Sequence, residues 1–229
     1  FYSPDGEQYL TVAYGSEEQP DGAIKLYETE GGKATTLLTF PDSLSRLAHD
    51  NQVAWTPDSQ SAWVALPAVD SGRASPPNGA EIYRLSGGQL QKVNDIDAFQ
   101  VFWSPDAGQM AYTRYASESM SGNQLYLAHA DGSAAEAYAA MTDGQFISWS
   151  PTGKRFLYQD TYQIFVGERG KPPVRLANAV SMVNPRWISD DMLAATHDTG
   201  DGWLLPLRNV DGNAVGLLPL PREAIWDVG

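Results

Sequence analysis

The sequence predicts an all-β protein, a five-bladed β-propeller built from four-stranded antiparallel blades. An aromatic residue followed by a Ser-Pro-Asp turn recurs along the chain, and an alternating apolar and polar strand follows most copies. The clearest copy is Trp103-Ser104-Pro105-Asp106 with the strand Gln109–Thr113. Further anchors are Tyr2, Trp55, Trp149, Trp187 and Trp226. Successive anchors are separated by 53, 48, 46, 38 and 39 residues, close to the roughly 40–45 residues of a propeller blade.

The residues of the repeated turn explain why it reverses the chain. Proline presets φ at the second position, aspartate bonds its own backbone two residues on, and glycine accepts positive φ at the end. The preceding aromatic ring is large enough to wedge between adjacent sheets. Trp55, Trp103, Trp149, Trp187 and Trp226 are therefore predicted to be structural anchors between blades.

The first two blades follow from short β-rich runs separated by turn residues. Blade one is predicted to contain Gln8–Tyr14, Ala23–Tyr27 and Thr35–Phe40, with a tight Gly31-Gly32 turn before the outer strand. Blade two is predicted to contain Val53–Trp55, Ala62–Leu66, Glu81–Leu85 and Leu90–Val93, with a Gly87-Gly88 turn.

The later blades repeat this order, with one ambiguity. Blade three has Phe99–Trp103, Met110–Tyr115 and Leu125–Leu127, then the alanine-rich run Ala134–Met141. That composition suits a helix better than a strand, but its place in the repeat favours an outer strand. Blade four comprises Phe146–Trp149, Arg155–Gln159, Gln163–Val166 and Val174–Leu176, and blade five Met182–Trp187, Met192–Thr196, Trp203–Leu207 and Val215–Leu218.

The two ends of the chain carry complementary parts of one blade. Ala224–Trp226 resembles an inner strand without its partners, whereas blade one lacks an inner strand. We therefore expect residues 1–229 to form a single domain, with Ala224–Trp226 beside Gln8–Tyr14. Such closure removes exposed sheet edges. The alternative is a piece of a larger propeller, and the opening on Phe1 in mid-repeat indicates a mature or excised segment.

Composition narrows the classes of partner. The chain has 28 acidic and 15 basic residues and a net charge of −13, which repels nucleic acids and anionic membrane surfaces. It contains no cysteine, so disulfides and thiolate chemistry are excluded. No apolar run reaches the roughly 18–20 residues of a membrane helix. We predict no nucleic-acid partner and no membrane insertion.

The repeat resembles that of TolB-type propellers. The shared features are Trp-Ser-Pro-Asp-Gly, a short strand ending in a pair such as Ala111-Tyr112, an Ile/Leu-Tyr strand and an Asp-Gly turn. The same repeat occurs in the propeller domains of prolyl-oligopeptidase-like and tricorn-like proteases. The resemblance implies a bacterial protein located in the periplasm or outside the cell. It identifies a fold rather than an activity, and the six blades and N-terminal domain of TolB are not evident here.

No sequence pattern points to a catalytic centre, a cofactor or a metal. A Gly-x-Ser-x-Gly elbow, a phosphate-binding glycine loop and a His-Glu-x-x-His pair are all missing. The histidines His49, His129 and His197 lack ligand spacing. The run Asp198–Gly202 lacks the later glutamate of a calcium loop, so turn chemistry is favoured there. Five-bladed propellers include glycosidases with paired carboxylates, for which the candidates are Asp50, Asp95, Asp97 and Glu223.

Long loops point instead to binding. Loops between second and third strands, and between outer and next inner strands, lie at one face of a propeller, and the long ones belong to blades one to three. They are Gly15–Gly22, Pro41–Asn51, Pro67–Gly79 and Ala116–Asn123, and their candidate binding residues are Glu17, Glu18, Arg46, His49, Asp70, Arg73 and Glu118. We expect a non-catalytic module for a protein or peptide, with a carbohydrate as a further ligand class. The alternative is an enzyme, either a funnel glycosidase or the substrate-gating propeller of a peptidase.

Overall fold

The computed structural model describes residues 1–14, 21–41, 53–67, 79–116, 122–176, 183–198 and 203–220. Within these ranges the chain forms nineteen strands and no helix. The strands make five antiparallel sheets, four with four strands and the first with three. The chain divides into two compact units, Phe1–Ala140 and Met141–Gly229.

The first unit holds the first three sheets. Sheet one is β1 (Gln8–Ala13), β2 (Asp21–Glu28) and β3 (Ala34–Pro41). Sheet two is β4 (Val53–Trp55), β5 (Ser61–Pro67), β6 (Ala80–Ser86) and β7 (Gln89–Ile96). Sheet three is β8 (Gln100–Trp103), β9 (Gln109–Tyr115), β10 (Asn123–His129) and β11 (Glu136–Met141). The alanine-rich run is thus a strand from Glu136 to Met141, where repeat position overrides helical propensity, while Ala134 and Ala135 precede the strand.

The second unit holds two four-stranded sheets. Sheet four is β12 (Gly144–Trp149), β13 (Arg155–Asp160), β14 (Gln163–Glu168) and β15 (Val174–Arg175). Sheet five is β16 (Val183–Ser189), β17 (Met192–Asp198), β18 (Trp203–Asn209) and β19 (Ala214–Leu220). Strand order follows chain order in both sheets, as in a propeller blade.

The anchors hold the same place in the strand register. Trp55, Trp103 and Trp149 each pair with the residue seven positions later, Ala62, Met110 and Phe156. Tyr2 forms the corresponding bridge with Tyr9. Trp187 pairs with Leu193 after a turn that is one residue shorter. These anchors are therefore equivalent positions of one repeat, while Trp226 lies outside the described residues.

The hydroxyl before proline closes the turn through both of its hydrogen-bonding functions. The Ser3 Oγ donates to Asp5 Oδ1 at 2.6 Å and accepts from the Gln8 amide at 3.0 Å. Thr56 and Ser104 make the same two kinds of contact, with Asp58 and Asp106 as the acceptors. Ser3 and Ser104 are buried, so these bonds satisfy polar atoms that water does not reach.

Two apolar clusters hold the first unit together. Leu10 and Ile24 of sheet one pack with Trp55, Val64 and Leu85 of sheet two. A second cluster joins sheets two and three, with Ala65, Ile82, Trp103, Met110 and Tyr112 among its members. The expected wedge between sheets is therefore present at Trp55 and Trp103.

The anchor indoles also donate hydrogen bonds, which the sequence analysis did not anticipate. The Trp55 Nε1–H donates to the Phe1 carbonyl at 3.0 Å, which connects sheets two and one. The Trp103 Nε1–H donates at 2.9 Å to the Ala130 carbonyl, at the end of a strand of its own sheet. The anchors thus fix turns and strand ends as well as packing between sheets.

In the second unit, the fifth sheet supplies a carboxylate to a turn of the fourth. Thr152 stands where the other turns have aspartate, and its amide and hydroxyl donate to the Asp190 carboxylate at 3.1 and 2.5 Å. The Thr152 hydroxyl, and next the Ser150 hydroxyl, lower the pKa of Asp190 by stabilising its ionised form. The Arg155 guanidinium donates to the Asp190 carbonyl at 2.8 Å and also pairs with Asp191. Sheets four and five are therefore joined by polar contacts beside their apolar cluster.

Candidate functional site

The long loops of blades one to three leave their sheets at paired strand ends. Asp21 pairs with Pro41, so the loops ending at 20 and beginning at 42 lie at the same end of sheet one. In sheet two, Pro67 pairs with Ala80 at the two ends of the longest loop. In sheet three, Tyr115 pairs with Asn123, and the Ala116 amide donates to the Gly122 carbonyl at 2.9 Å. Each sheet thus presents one end that carries its long loop or loops.

The predicted binding residues themselves lie outside the described residues. This applies to Glu17, Glu18, Arg46, His49, Asp70, Arg73 and Glu118. Their grouping on one surface stays a prediction.

Aromatic side chains occupy two of these strand ends. The rings of Tyr14 and Phe40 meet edge to face at 5.8 Å at the base of the loops of sheet one. The rings of Phe99 and Tyr115 stack at 4.5 Å in sheet three. Such pairs add favourable contact energy beyond the burial of apolar area. The bases of these loops are thus held by packed rings.

Arg114 adds a cation beside the aromatic base of sheet three. Its guanidinium carbon lies 4.6 Å from the centroid of the Tyr126 ring, and that ring stacks on Tyr112 at 5.0 Å. Its Nη1 lies 3.7 Å from an oxygen of Asp97, which is too long for a hydrogen bond. Arginine and tyrosine are enriched in the residues that dominate protein–protein binding energy, so Arg114 belongs to the candidate surface.

A charged cluster lies on β6 and β7 of sheet two. The Lys92 ammonium contacts Glu81 at 2.7 Å and Asp95 at 2.8 Å, and the Tyr83 hydroxyl donates to the other oxygen of Glu81 at 2.5 Å. Burial, and then the hydrogen bond to Glu81, raise the pKa of Tyr83 well above its ordinary range. The pKa of Lys92 is raised by its bonds to Asp95 and Glu81. Tyr83 is thus held neutral and Lys92 charged, which suits a structural role.

Two of the four candidate catalytic carboxylates, Asp95 and Asp97, lie among the described residues. Asp50 and Glu223 lie outside the described residues. Asp95 is paired with Lys92, and Asp97 faces Arg114. Within the described ranges, no group of three or more histidine, aspartate or glutamate side chains is arranged to hold a metal ion.

Two Asp-Gly pairs form turns between strands, as predicted. Asp131 accepts the Ser133 amide at 2.9 Å, and Gly132 has a φ of 81°. The Ser133 contact lowers the pKa of Asp131. Gly212 likewise has a φ of 82° in the turn before β19. These turns are confirmed. His129 is exposed in β10, His49 is outside the described residues, and only the backbone of His197 is described, in β17.

One exposed turn of sheet four was not singled out from the sequence. Thr161 and Tyr162 connect β13 to β14 as a two-residue hairpin, Thr161 has a φ of 56°, and Tyr162 is 77% exposed. The short loop contains no glycine, which is why its unusual backbone has no signal in the sequence. No helix among the described ranges is long and apolar enough to span a membrane.

Comparison with solved structures identifies the class of fold. TolB from Acinetobacter baumannii matches with a TM-score of 0.51 and 17% identity, over 96% of this chain and 53% of that one. The propeller domain of the Trilobed protease from Pyrococcus furiosus matches with a TM-score of 0.59 and 13% identity, over 96% and 67%. A eukaryotic initiation factor matches with a TM-score of 0.62 and 15% identity, over 96% of this chain and 55% of that one.

This chain therefore has a β-propeller fold like that of TolB and of protease propeller domains. It spans about half the length of the TolB and initiation-factor chains. No protein-family model and no curated protein matches the sequence. At these identities the likeness establishes the fold, and a role has to be argued from the site.

Proposed function

We propose that this protein is a non-catalytic propeller module that binds a protein or peptide through the loops of blades one to three. The observation that carries the proposal is the arrangement of strand ends in the first unit. The insertions of sheets two and three each begin and end at paired residues, and the two insertions of sheet one meet at the pair Asp21 and Pro41. A rigid sheet that carries variable loops at one end is the usual architecture of a recognition surface.

The described residues at these strand ends have the chemistry of a protein-binding surface. Packed rings of Phe99 and Tyr115 and the partly exposed Arg114 supply groups that favour protein interfaces. The net charge of −13 favours partners with basic patches. We further propose an extracytoplasmic location in a bacterium, which the TolB-like fold supports. A carbohydrate is the second ligand class, since stacked rings also suit sugars.

The test is selection of binding peptides and deletion of the longest loop. A displayed random-peptide library is selected on the intact chain, and affinities of the selected peptides are measured by calorimetry. Replacing Pro67–Gly79 by a short Gly-Ser linker is expected to weaken binding at least tenfold. The matched control replaces Gly87-Gly88, a turn at the opposite end of sheet two, by Asn-Gly, which should leave binding unchanged. Peptides that bind both variants equally well would contradict the proposal.

We also propose that Ala224–Trp226 completes the first blade and closes a five-bladed ring. The support is that β1 has no full strand beside its open edge among the described residues. There Phe1 exchanges backbone hydrogen bonds with Leu10, Tyr2 bridges Tyr9 and the Ser3 amide donates to the Gln8 carbonyl, so residues 1–3 cover only the Gln8–Leu10 part of that edge. Because the chain lacks cysteine, the variant Ala13→Cys combined in turn with Ala224→Cys, Ile225→Cys or Trp226→Cys should form an intramolecular disulfide. Failure of all three pairs would favour the larger-propeller alternative.

The likeness to protease propellers supports a second candidate, the substrate-gating domain of a larger peptidase. The two functions differ in what the loops contact. A gating domain is expected to bind a separate catalytic domain, and peptides should then be cleaved only when both are present. Binding of selected peptides by this chain alone favours the first proposal.

A further inference from the structure

The short hairpin of sheet four is unusual in its backbone conformation. Thr161 and Tyr162 are its two central residues, between the paired Asp160 and Gln163. Thr161 has a φ of 56°, in the left-handed region that β-branched residues rarely adopt. Two-residue hairpins with positive φ at the first position favour glycine there. Such conformations persist only where neighbouring groups hold them in place.

Hydrogen bonds from three neighbouring residues hold the turn in place. The Thr161 amide donates to the Asp143 carbonyl at 3.3 Å, and the Gln159 side-chain amide donates to the Thr161 carbonyl at 2.8 Å. The Asp160 carboxylate accepts the Thr142 and Asp143 amides at 2.8 and 3.4 Å. The hairpin is therefore braced both by its own strands and by the segment that leads into β12.

The braced turn displays a large aromatic side chain to solvent. Tyr162 is 77% exposed, the most exposed large hydrophobic side chain among the described residues. A tyrosine has few rotatable bonds and lies here on a fixed backbone, so little conformational entropy would be lost on binding. The nearby Asp143 is exposed and carries a negative charge.

We propose that Tyr162 and Asp143 form a preformed contact site for a basic protein segment. The guanidinium or ammonium group of the partner packs on the face of the Tyr162 ring, where the ring quadrupole attracts a cation. Asp143 contacts the turn through its backbone carbonyl, which accepts the Thr161 amide, and its exposed carboxylate supplies the negative charge that pairs with the same cation. The net charge of −13 attracts basic segments to the protein in general, and this site gives that attraction a specific position.

This inference rests on the proposed binding function but uses a different blade, so the two can fail separately. The probe is an acetylated, amidated peptide Gly-Arg-Gly-Arg-Gly-Arg, titrated into the intact chain and followed by two-dimensional NMR. A peptide with glutamate in place of arginine serves as the charge-reversed probe. Signals of Asp143, Thr161 and Tyr162 are expected to shift with the basic peptide and to stay in place with the acidic one.

Four variants decide the outcome. Tyr162→Ala is expected to weaken binding of the basic peptide by about two- to fivefold, the range of an exposed cation–π contact. Tyr162→Phe should bind like the wild type because it keeps the ring. Asp143→Asn should weaken binding by a similar factor. Asp211→Asn removes one exposed charge from a turn before β19 and should have little effect.

Two results would overturn the proposal. One is wild-type affinity in Tyr162→Ala, with circular dichroism confirming that the variant is folded. The other is an equal loss in Asp211→Asn and Asp143→Asn, which would mean that the peptide responds only to net charge. The loop variant lacking Pro67–Gly79 should still bind the basic peptide, so loss of the main binding function leaves this site testable.

Discussion

The Asp190 carboxylate, which follows the first strand of sheet five, accepts hydrogen bonds from a turn of sheet four, and removing it tests how strongly these bonds hold the two sheets together. Three of the turns contain their own aspartate, whereas the turn at Ser150 uses Asp190 from the next sheet. Asp190→Ala therefore removes the acceptor of the Ser150 and Thr152 hydroxyls and of the Thr152 amide. The strand pairing of Trp187 with Leu193 does not depend on that side chain.

The expected cost follows from how far water can replace each lost bond. Ser150 is fully buried at 0% exposure, so its hydroxyl loses an acceptor that water does not replace, at about 1 to 1.5 kcal/mol. Thr152 is exposed, and water compensates its two donors at a cost of a few tenths of a kcal/mol each. The sum is about 1.5 to 2 kcal/mol, or about 3 to 8 °C in Tm for a chain of this size.

Thermal and urea unfolding, followed by tryptophan fluorescence and circular dichroism, measure this cost. The decisive variant adds Thr152→Asp to Asp190→Ala, because it restores a carboxylate inside the turn as at Asp5, Asp58 and Asp106. This double variant should regain at least half of the lost stability. In the wild-type background, Thr152→Asp alone should destabilise because two carboxylates would then share one set of donors.

The reasoning fails if Thr152→Asp has the same effect with and without Asp190. Additive effects would mean that the two positions act independently and that the shared hydrogen bonds contribute nothing measurable. Unchanged stability in Asp190→Ala would refute it more directly.

Four further predictions follow from packing, backbone and charge. Trp103→Ala should destabilise by about 3–5 kcal/mol in urea unfolding, and a fully stable variant would contradict its role as an anchor. Gly167→Ala places a Cβ 2.2 Å from the Phe156 ring and should cost about 2–3 kcal/mol, which Phe156→Leu should partly restore. Ala107 has a φ of 53°, so Ala107→Gly should raise the free energy of unfolding by about 0.5 kcal/mol, because the relief of backbone strain outweighs the added entropy of the unfolded chain. The pKa of Asp58 is lowered, first by the Thr56 hydroxyl. Its contribution to the free energy of unfolding should therefore be present above about pH 3.9 and be lost as the pH falls through the lower pKa of the folded state. In an acid titration, the stability of Asp58→Asn should decrease less than that of the wild type.

The five sheets could be predicted from the sequence because each residue type of the repeat has a physical role in the turn or in the packing. Aromatic anchors, proline turns and alternating strands all pointed to the same sheets, and the five sheets follow in the expected order. The run Ala134–Met141 shows the limit of local propensity, since its alanines favour a helix but strand β11 pairs with β10 there. Agreement among several weak signals was more informative than any single one.

Contacts between residues distant in sequence were less predictable than the sheets, both at the candidate site and in the second unit. Nothing at Thr152 or Asp190 indicates that one completes the turn of the other, since the two lie 38 residues apart. The sequence also gives no sign of the positive φ of Thr161, because turns of this kind favour glycine at that position rather than threonine. The sequence does not show that Arg114 faces Asp97, because Asp97 lies in the segment before β8 whereas Arg114 lies in β9.

The two ends of each sheet differ in what their sequence must satisfy. At the anchor end, a buried hydroxyl needs a carboxylate acceptor, and any residue that supplies one from the right place is acceptable, as Asp190 does for Ser150. That requirement is geometric, so the hydrogen bonds recur from turn to turn although the residue that supplies the acceptor differs. At the loop end, the strand termini of sheet three are held by rings such as Phe99 and Tyr115. Under the proposed function, stability depends on the anchors and their hydrogen bonds, whereas recognition depends on residues at the opposite end of each sheet, so substitutions at the two ends should affect different measurements.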